Sequence, residues 1–267
     1  MLSIIYRDDD LIAIYKPPGL LVHRSDLDRH EQRFAVQLLR DQIGRRVFPV
    51  HRLDKGTSGV LLFAFTPETV RVLAKQFEAG LVSKSYIALV RGWPPESGKI
   101  DHPLSRKFDD YGRSLSNPIP QSALTHFKRL ATVELATAVD KYPTSRYALV
   151  ALQPITGRQH QLRRHMKHIG HPIIGDATHG KGIHNRFFTQ AFGCNRLLLA
   201  CTGMTLTHPK EDRSLYLGTS PGQDFTNLID HFGWSASASI LAPRQFHDGR
   251  IAGSASPCSS VDRATAS

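Results

Sequence analysis

The stretch HRLDKGTSGVLLFAF, residues 51–65, places one carboxylate among basic residues and just before an apolar run. Arg52 and Lys55 lie within two positions of Asp54. A Gly-Thr-Ser-Gly run that is typical of a turn follows, and the apolar residues 60–65 predict a strand. The stretch therefore predicts a sharp turn that exposes Asp54 at the edge of a strand.

Two roles for this aspartate are compatible with the local sequence. In the first, Asp54 accepts hydrogen bonds from N–H groups of its own turn and pairs with Arg52, which is the ordinary role of an isolated Asp-x-Gly pattern. In the second, the neighbouring arginines keep the side chain ionised for a reaction. The turn alone favours the first role, so a functional role needs support from other segments.

The composition indicates a basic globular protein. The chain has 267 residues, of which 40% are hydrophobic, so it can bury a sizeable core. Its formal charge of +11 predicts a polyanionic partner, nucleic acid first and an anionic membrane surface second. We find no signal peptide and no apolar run near the roughly 18 residues of a membrane span. Three cysteines without CxxC spacing favour a reduced, cytoplasmic protein.

The order of predicted elements favours an α+β fold. The predicted elements are a hairpin over 2–15, a turn at 16–19, helices over 31–43 and 66–80, strands over 85–90 and 146–152, and further strand residues within 196–206. They show no regular βαβ repeat, which argues against a doubly wound sheet. Residues 94–122 are rich in Pro, Ser, Gly and charge and predict a long loop. We expect one domain over 1–242 and a disordered tail over 243–267.

A second segment, TGRQHQLRRHMKHIGH at 156–171, is strongly basic. We predict a turn at its start and a helix from about Gln159. On that helix Arg163 and Lys167 are four residues apart, and like charges at this spacing are destabilising unless an anion compensates them. A nucleic acid backbone would supply the anion. The alternative is a basic face that is only solvated.

The histidines of this segment do not predict a metal site. His160, His165, His168 and His171 form no HExxH pattern, and no Asp or Glu lies among them. The chain also lacks GxxxxGK[ST], GxGxxG and GxSxG patterns, so neither a nucleotide cofactor nor a Ser-His-Asp hydrolase is supported. A metal-dependent nuclease would need a carboxylate cluster that the sequence does not show. We expect no metal and no cofactor.

A third segment begins a predicted strand with a tyrosine. In SKSYIALVRG at 83–92, Tyr86 is the first large side chain of the strand. Taken alone, it is best interpreted as part of the core. A tyrosine in that position can also stack on a nucleobase and offer a hydroxyl group.

Taken together, these segments resemble the RluA-type pseudouridine synthases. The motifs that carry the resemblance are KPPG at 16–19, HRLDKGTSG at 51–59, KSYIALVRG at 84–92, TGRQHQLRRH at 156–165, HPIIGD at 171–176 and LTHP at 206–209. They occur in the expected order over nearly all of residues 1–209. The combination of HRLDxxTSG with TGRxHQLRxH is the specific part of the signal, whereas KPPG or THP alone would be weak.

The resemblance implies a fold and a catalytic set. It implies an α+β pseudouridine synthase fold, with a mixed, largely antiparallel sheet flanked by helices and a cleft across its centre. Asp54 matches the family's catalytic aspartate, which attacks the target nucleotide or removes a sugar proton. Arg163 matches the arginine that pairs with it, with Arg52 as a second candidate partner. Tyr86 matches the tyrosine that packs on the flipped base and handles the C5 proton. The implied isomerisation uses no metal or redox cofactor.

The resemblance also implies an RNA partner. Finer features, including LVHRSDLDRHE at 21–31 and FGWS at 232–235, resemble a member that modifies uridine-65 of tRNA. Action on ribosomal RNA, or RNA binding without catalysis, are alternatives. We expect a monomer. The residues predicted to bind substrate RNA are Arg52, Arg158, His160, Gln161, Arg164 and Lys167.

One position departs from the family pattern. The family usually reads Leu-His-Ala before its last strand, whereas this chain has Leu199-Ala200-Cys201. The missing histidine is expected to change local packing or an RNA contact. It leaves the three residues matched to the catalytic set unaltered.

Overall fold

The computed structural model of the chain describes residues 1–23, 31–105 and 119–239. The strands are β1 Ser3–Arg7, β2 Leu11–Lys16, β3 Phe48–Pro49, β4 Ser58–Ala64, β5 Ser83–Arg91, β6 Ser97–Asp101, β7 Leu104–Ser105, β8 Pro120–Gln121, β9 Leu124–Leu135, β10 Ser145–Pro154, β11 Leu199–Thr207 and β12 Ser214–Gly218. The helices are α1 Ala35–Ile43, α2 Pro67–Glu78, α3 Gln161–His168, α4 Gly182–Phe192, α5 Gln223–His231 and α6 Ser235–Ser239. This mixed order confirms the α+β prediction.

Within these described residues, ten strands form one sheet. Its order is β1-β2-β4-β11-β5-β10-β9-β6, with β12 beside β11 and β3 beside β4. The pair β4–β11 is parallel, and the other pairs are antiparallel. The predicted mixed, largely antiparallel sheet is therefore confirmed. Strands β7 and β8 form a separate two-stranded pair.

Strand β4 lies deep in the sheet, and all seven of its residues are buried. Val60 and Leu62 belong to the core cluster that also holds residues of β5 and α3, whereas Leu61 and Phe63 belong to the cluster under α1. A strand covered on both faces reads as a continuous apolar run. This explains why the sequence after Asp54 shows no alternation.

Helix boundaries follow local capping chemistry. The Thr66 hydroxyl accepts a 3.1 Å hydrogen bond from the N–H of Thr69, and Pro67 occupies the first turn of α2, as predicted. Helix α1 ends at Gly44 in the left-handed conformation, also as predicted. It begins at residue 35, later than predicted, because Phe34 is extended and forms a β-bridge with Leu21.

The prediction of a loop over 94–122 was wrong for part of that range. Strand β6 pairs with β9, and β7 pairs with β8. Gly98 weakened the strand signal, yet a Cβ there would lie 2.9 Å from the Phe127 ring, so the glycine suits its place. Residues 106–118, most of the LVHRSDLDRHE motif, the domain end near 242 and the tail 243–267 lie outside the described residues. None of the described helices has the length and apolarity that crossing a membrane requires.

The parallel contact between β4 and β11 brings the Asp54 turn into the centre of the sheet. Gly59 has a φ of 114°, and a Cβ there would lie 2.0 Å from the carbonyl oxygen of Cys201. Only glycine allows this close approach of the two backbones. The turn before β4 therefore lies directly beside the start of β11.

Candidate active site

Asp54 lies in the turn between β3 and β4. Its C=O accepts a 3.0 Å hydrogen bond from the N–H of Thr57, which closes the turn. A Cβ on Gly56 would lie 3.1 Å from Cβ of Leu197, so the turn packs closely on the segment before β11. The Asp54 side chain is 29% exposed. The turn thus presents a carboxylate at the entry of a buried strand, as the sequence predicted.

Arg163, in the first turn of α3, binds this carboxylate. Its Nη1 donates to Oδ2 of Asp54 at 3.1 Å. Its Nε and Nη2 donate to Oδ2 and Oδ1 of Asp176 at 2.7 and 2.8 Å. The guanidinium therefore joins two carboxylates that are far apart in sequence, and its planar fork fixes their relative position.

The third member of this group, Asp176, is completely buried. Its Oδ1 also accepts hydrogen bonds from the N–H groups of Thr178 and His179, at 2.9 and 2.8 Å. Burial alone would raise the pKa of Asp176, but the hydrogen bonds from Arg163 and these N–H groups hold it below its usual value. The same carboxylates outweigh the effect of burial on Arg163 and raise the pKa of its guanidinium.

A buried lysine holds the Asp54 turn from the opposite side. Lys16 is fully buried, and its ammonium donates to the C=O groups of Pro17, Leu20 and Lys55 at 3.0, 2.7 and 3.0 Å. Burial lowers the pKa of Lys16 to about 7, although the negative charge of Asp54 opposes this shift. The predicted KPPG turn is thus tied to the residue that follows Asp54.

Asp54 and Arg163 both line a small chamber of about 230 Å³. Tyr86 forms part of its apolar wall, and His51 and Phe77 stack nearby with ring centroids 5.5 Å apart. Burial, together with the charge of Lys84, lowers the pKa of His51 to about 3, and its Nε2 accepts a hydrogen bond from the N–H of Leu62. The small chamber therefore places flat, uncharged rings close to a carboxylate.

Tyr86 is 9% exposed and lies directly opposite Cys201 in the pairing of β5 with β11. Burial and the neighbouring Cys201 raise the pKa of Tyr86 well above its usual value, so its hydroxyl keeps its proton at neutral pH. Ala200, where the family pattern has histidine, is completely buried and belongs to the core cluster around Ile87 and Leu89. The departure therefore affects core packing on the far face of the sheet.

A large chamber of about 820 Å³ lies on the other side of Asp54. Its lining combines charged and polar side chains with apolar ones such as Leu21 and Leu53, and Asp54, His160 and Arg163 line both chambers. His160 has a φ of 52°, which is unusual for a residue other than glycine, and its Nδ1 lies 3.0 Å from Nε2 of His179. The two chambers thus form one cleft that is divided at the carboxylate.

A sequence model described as RNA pseudouridylate synthase matches residues 10–168 of the chain. The tRNA pseudouridine synthase C of Haemophilus ducreyi is 50% identical over 234 residues, which cover 87% of this chain and 96% of that protein. The chain belongs to the pseudouridine synthase family. The Yersinia pestis protein of the same name is 46% identical over 92% of this pseudouridine synthase and 96% of its own length.

Solved structures of two human relatives have the same fold as this pseudouridine synthase. Human RNA Pseudouridylate Synthase Domain Containing 4 superposes with a TM-score of 0.64 at 25% identity, covering 86% of this chain and 93% of that one. Human RNA Pseudouridylate Synthase Domain Containing 1 gives a TM-score of 0.61 at 24% identity, covering 87% and 95%. The fold inferred from the motifs is thereby confirmed.

The structure brings the three residues matched to the catalytic set into the small chamber. The predicted pairing of Asp54 with Arg163 is confirmed, since the ion pair measures 3.1 Å across 109 positions of sequence. Tyr86 lines the same chamber. Their roles in the reaction remain proposals. The second predicted partner of Asp54, Arg52, lines both chambers.

Five of the six residues predicted to bind RNA divide into three groups. Arg52, Arg158 and Arg164 line a third cavity of about 220 Å³ beside the small chamber, which we call the arginine cavity. His160 lies at the division of the cleft. Lys167 is exposed on α3 and lines none of the cavities described here.

Gln161 gives no support to the prediction of an RNA contact. It is only 4% exposed, and its amide nitrogen donates to the C=O of Leu124 and the hydroxyl of Thr125. Its amide oxygen accepts from Thr156 and from the N–H of Arg158. These four bonds occupy the amide, so its structural role is to join α3 to the turn before it.

Sequence reasoning missed two groups of the site. Asp176 ends the HPIIGD motif, but the motif alone gave its carboxylate no role. Lys16 was interpreted as part of a turn and not as a buried cation. Asp176 could have been identified from its position, because it ends the HPIIGD motif and is the first acidic residue after the start of the basic helix α3. Among the described residues there is no group of three or more His, Cys, Asp or Glu side chains placed to hold a metal, and a metal-free reaction remains a prediction.

Proposed function

We propose that this pseudouridine synthase converts uridine to pseudouridine in tRNA, with position 65 as the target. The observation that carries the proposal is the Asp54 carboxylate, held by Arg163 and opening onto a small chamber with the Tyr86 ring in its wall. The similarity to tRNA pseudouridine synthases over about nine-tenths of the chain supports tRNA as the substrate.

The reaction is an isomerisation and balances without a co-reactant. The bond between N1 of uracil and C1′ of the ribose breaks, the base turns, and a bond forms between C5 and C1′. The proton on C5 passes by way of the Tyr86 hydroxyl to solvent, and N1 takes up one proton from solvent, so the hydroxyl ends as it began. The site therefore needs a carboxylate, a means of holding the detached base, and a group that manages the C5 proton.

Asp54 is the residue that we assign to the ribose. Arg163 holds its Oδ2, and in the described part of the chain Arg163 Nη1 is the one side-chain donor to this carboxylate. The carboxylate can attack C1′ and leave again when C5 bonds to C1′, or it can remove a ribose proton and return it when that bond forms. The bidentate bond between Arg163 and Asp176 keeps the guanidinium, and hence Asp54, in place.

Tyr86 is the residue that we assign to the base. Its ring offers a flat surface, and a raised pKa keeps the hydroxyl protonated and able to donate to a uracil carbonyl. The neutral rings of His51 and Phe77 make the chamber suited to an uncharged base. A uracil in this chamber would leave its stem, at a cost of a few kcal/mol that contacts with the protein must offset.

The arginine cavity is the surface that we assign to the RNA backbone. Arg158 and Arg164 are anchored there by donating to the C=O groups of Ser122 and Ser105, at 3.0 and 2.9 Å. Arginines that are held by neutral carbonyls keep their positive charge for phosphate. The formal charge of +11 has the sign that such binding needs.

The test is to map pseudouridine on unmodified tRNA transcripts by carbodiimide adduct formation and primer extension. We expect a single stop that reports position 65 with the wild type and none with Asp54→Asn. A stop elsewhere in tRNA would refute the target position. Product in ribosomal RNA but not in tRNA would refute the substrate, and no product in either RNA would favour a binding protein without catalysis. A cytoplasmic, monomeric and cofactor-free enzyme remains a prediction of the sequence.

A further inference from the structure

A cation that the motifs left without a role lines the large chamber. Arg196 lies just before β11, is half-buried, and shares the chamber with Asp54. The segment that carries it packs against the Asp54 turn, since a Cβ on Gly56 would meet Leu197 at 3.1 Å. Arg196 therefore lines the large chamber of the cleft and not the small one.

The guanidinium of Arg196 is held by neutral oxygens. Its Nη2 donates to the hydroxyl of Ser58 at 2.6 Å, and its Nε to the C=O of Leu197 at 3.2 Å. Its Nη1 lies 3.5 Å from the C=O of Pro221. In the described part of the chain, no carboxylate forms an ion pair with Arg196, although Asp54, Asp176 and Asp224 line the same chamber.

The surroundings of Arg196 form a built socket. The C=O of Pro221 also accepts from the hydroxyls of Ser58 and Tyr15, at 3.0 and 3.4 Å. A Cβ on Gly222 would lie 2.1 Å from the Tyr15 hydroxyl and 3.2 Å from Nη1 of Arg196, so a side chain there would displace both groups. The guanidinium is thus held in one orientation before any ligand arrives, which lowers the entropy cost of binding.

The contacts around Arg196 do not engage all of the N–H groups of its guanidinium. A guanidinium carries five N–H groups, and the three contacts above leave two without an acceptor in the described residues. A half-buried cation that lacks a carboxylate partner is stabilised by an anion from a ligand. One of the remaining N–H groups belongs to Nη1 and the other to Nη2, and a phosphate can accept hydrogen bonds from both nitrogens.

We propose that Arg196 binds a phosphate of the RNA strand in the large chamber, beside the target nucleotide. The inference rests on the proposed function, because a uridine in the small chamber brings its neighbouring phosphates past Asp54. The arginine cavity and Arg196 then bind phosphates of the strand on two sides of the reacting nucleotide. Arg196 is accordingly a positioning residue, and the group that it recognises is a phosphodiester.

The test is the salt dependence of tRNA binding by Arg196→Gln. Fluorescence anisotropy with an unmodified tRNA transcript is measured from 50 to 300 mM KCl, about the range in which phosphate contacts dominate binding. We expect affinity to fall on the order of tenfold at low salt, and the slope of log Kd against log [KCl] to decrease by about 1. Arg196→Lys, which keeps the charge, is expected to restore most of the slope.

Two control variants separate charge from structure. Ser58→Ala removes the anchor of Nη2 but keeps the guanidinium, so it should weaken binding while lowering the slope less than Arg196→Gln does. Arg71→Gln removes an equal charge from the exposed face of α2, where Arg71 pairs with Glu68, and should leave the slope unchanged. A slope that falls equally with Arg71→Gln would show a general charge effect and would overturn the assignment.

A measurement on the wild type covers the case in which Arg196→Gln does not fold. Arginine-specific dicarbonyl labelling, read by mass spectrometry, should be suppressed at Arg196 by saturating tRNA and not at Arg71. Equal labelling with and without tRNA would overturn the inference. Product mapping with the wild type is run in parallel. Absence of product refutes the proposed function, whereas product together with an unchanged slope for Arg196→Gln refutes this inference alone.

Discussion

Two turns each place an aspartate beside Arg163. The two carboxylates differ in burial and in the number of hydrogen bonds that they accept. Asp176 has no exposed surface and accepts hydrogen bonds from two guanidinium nitrogens and two backbone N–H groups. Asp54 is 29% exposed and meets one guanidinium nitrogen through one of its oxygens. The first turn saturates its carboxylate, and the second leaves lone pairs directed to the cleft.

The difference between Asp54 and Asp176 shows that the local hydrogen-bond donors and the exposure of a carboxylate determine its role. Both aspartates lie beside the same cation, so proximity to Arg163 does not distinguish them. What distinguishes them is the number of donors and the access of a ligand. A saturated carboxylate orients its neighbour, whereas a partly satisfied and accessible one can react. The following predictions test this division of roles.

The largest effect is expected for Asp54→Asn. The amide keeps the shape of the side chain but lacks the negative charge that an attack on the ribose or removal of its proton requires. We expect the single-turnover rate of pseudouridine formation to fall on the order of a thousandfold or more. The affinity for tRNA should stay within about threefold, measured by anisotropy, since phosphate contacts dominate binding. A rate close to that of the wild type would exclude Asp54 from the reaction.

A smaller loss of rate is expected for Arg163→Lys. An ammonium keeps the charge but cannot form the bidentate bond with Asp176 and at the same time reach Asp54. Misplacement of the carboxylate by about 1 Å should lower kcat on the order of a hundredfold, with a KM for tRNA changed by less than about threefold. Steady-state kinetics on a tRNA transcript checks this. A lysine variant with full kcat would show that charge alone suffices.

Asp176→Asn is expected to act mainly on stability. The change leaves the buried Arg163 without half of its paired charge, which should lower the free energy of unfolding by about 3 kcal/mol. Asp54→Asn serves as the matched control and should change it by less than about 1 kcal/mol, because Asp54 is partly solvated. Urea unfolding at pH 7 measures both. Equal losses for the two variants would contradict the division of roles.

The smallest effect is expected in the pH dependence of stability. Burial, which outweighs the attraction of Asp176, lowers the pKa of His179 to about 4. A folded-state pKa below the ordinary value of about 6.5 means that the unfolded chain binds more protons between these limits, so stability falls as the pH falls through this window. His179→Gln should reduce the loss between pH 7 and 4.5 by on the order of 1 kcal/mol, discounted for solvent screening.

The control for this experiment is an exposed histidine that lines none of the three cavities described above. His231→Gln, on α5, should leave the difference between the urea midpoints at the two pH values unchanged. If both variants alter the difference equally, the effect belongs to the overall charge of the protein and not to the turn that holds Asp176.

Strong apolar patterns allowed much of the fold to be predicted from the sequence. The run after Asp54 predicted β4, although the strand begins two residues earlier, at Ser58, because Ser58 and Gly59 are already paired. Strand β6 is held by its pairing with β9 and by the buried Ile100, and its Ser-Gly start gives no pattern of side chains. Elements that depend on tertiary contacts, such as this strand, could not be identified from composition.

The site was predicted only where a motif assigned a role. The pairing of Asp54 with Arg163 followed from the family resemblance and is confirmed. The ion pair between Arg163 and Asp176 depends on how the turn after α3 folds back, and no local sequence pattern predicts that turn. Arg196 was interpreted as the start of a strand, and its position on the wall of the cleft follows from the contact between β4 and β11.

The most direct test of the central claim compares Asp54→Asn with Asp176→Asn as folded proteins. Single-turnover pseudouridine formation is measured at low temperature, with the folded fraction of each variant in saturating excess over tRNA. We predict that Asp54→Asn is as stable as the wild type and forms almost no product, whereas Asp176→Asn is less stable but retains measurable activity. An Asp54→Asn variant that forms product at a rate near the wild type, with Asp176→Asn inactive, would contradict the assignment of the two carboxylates.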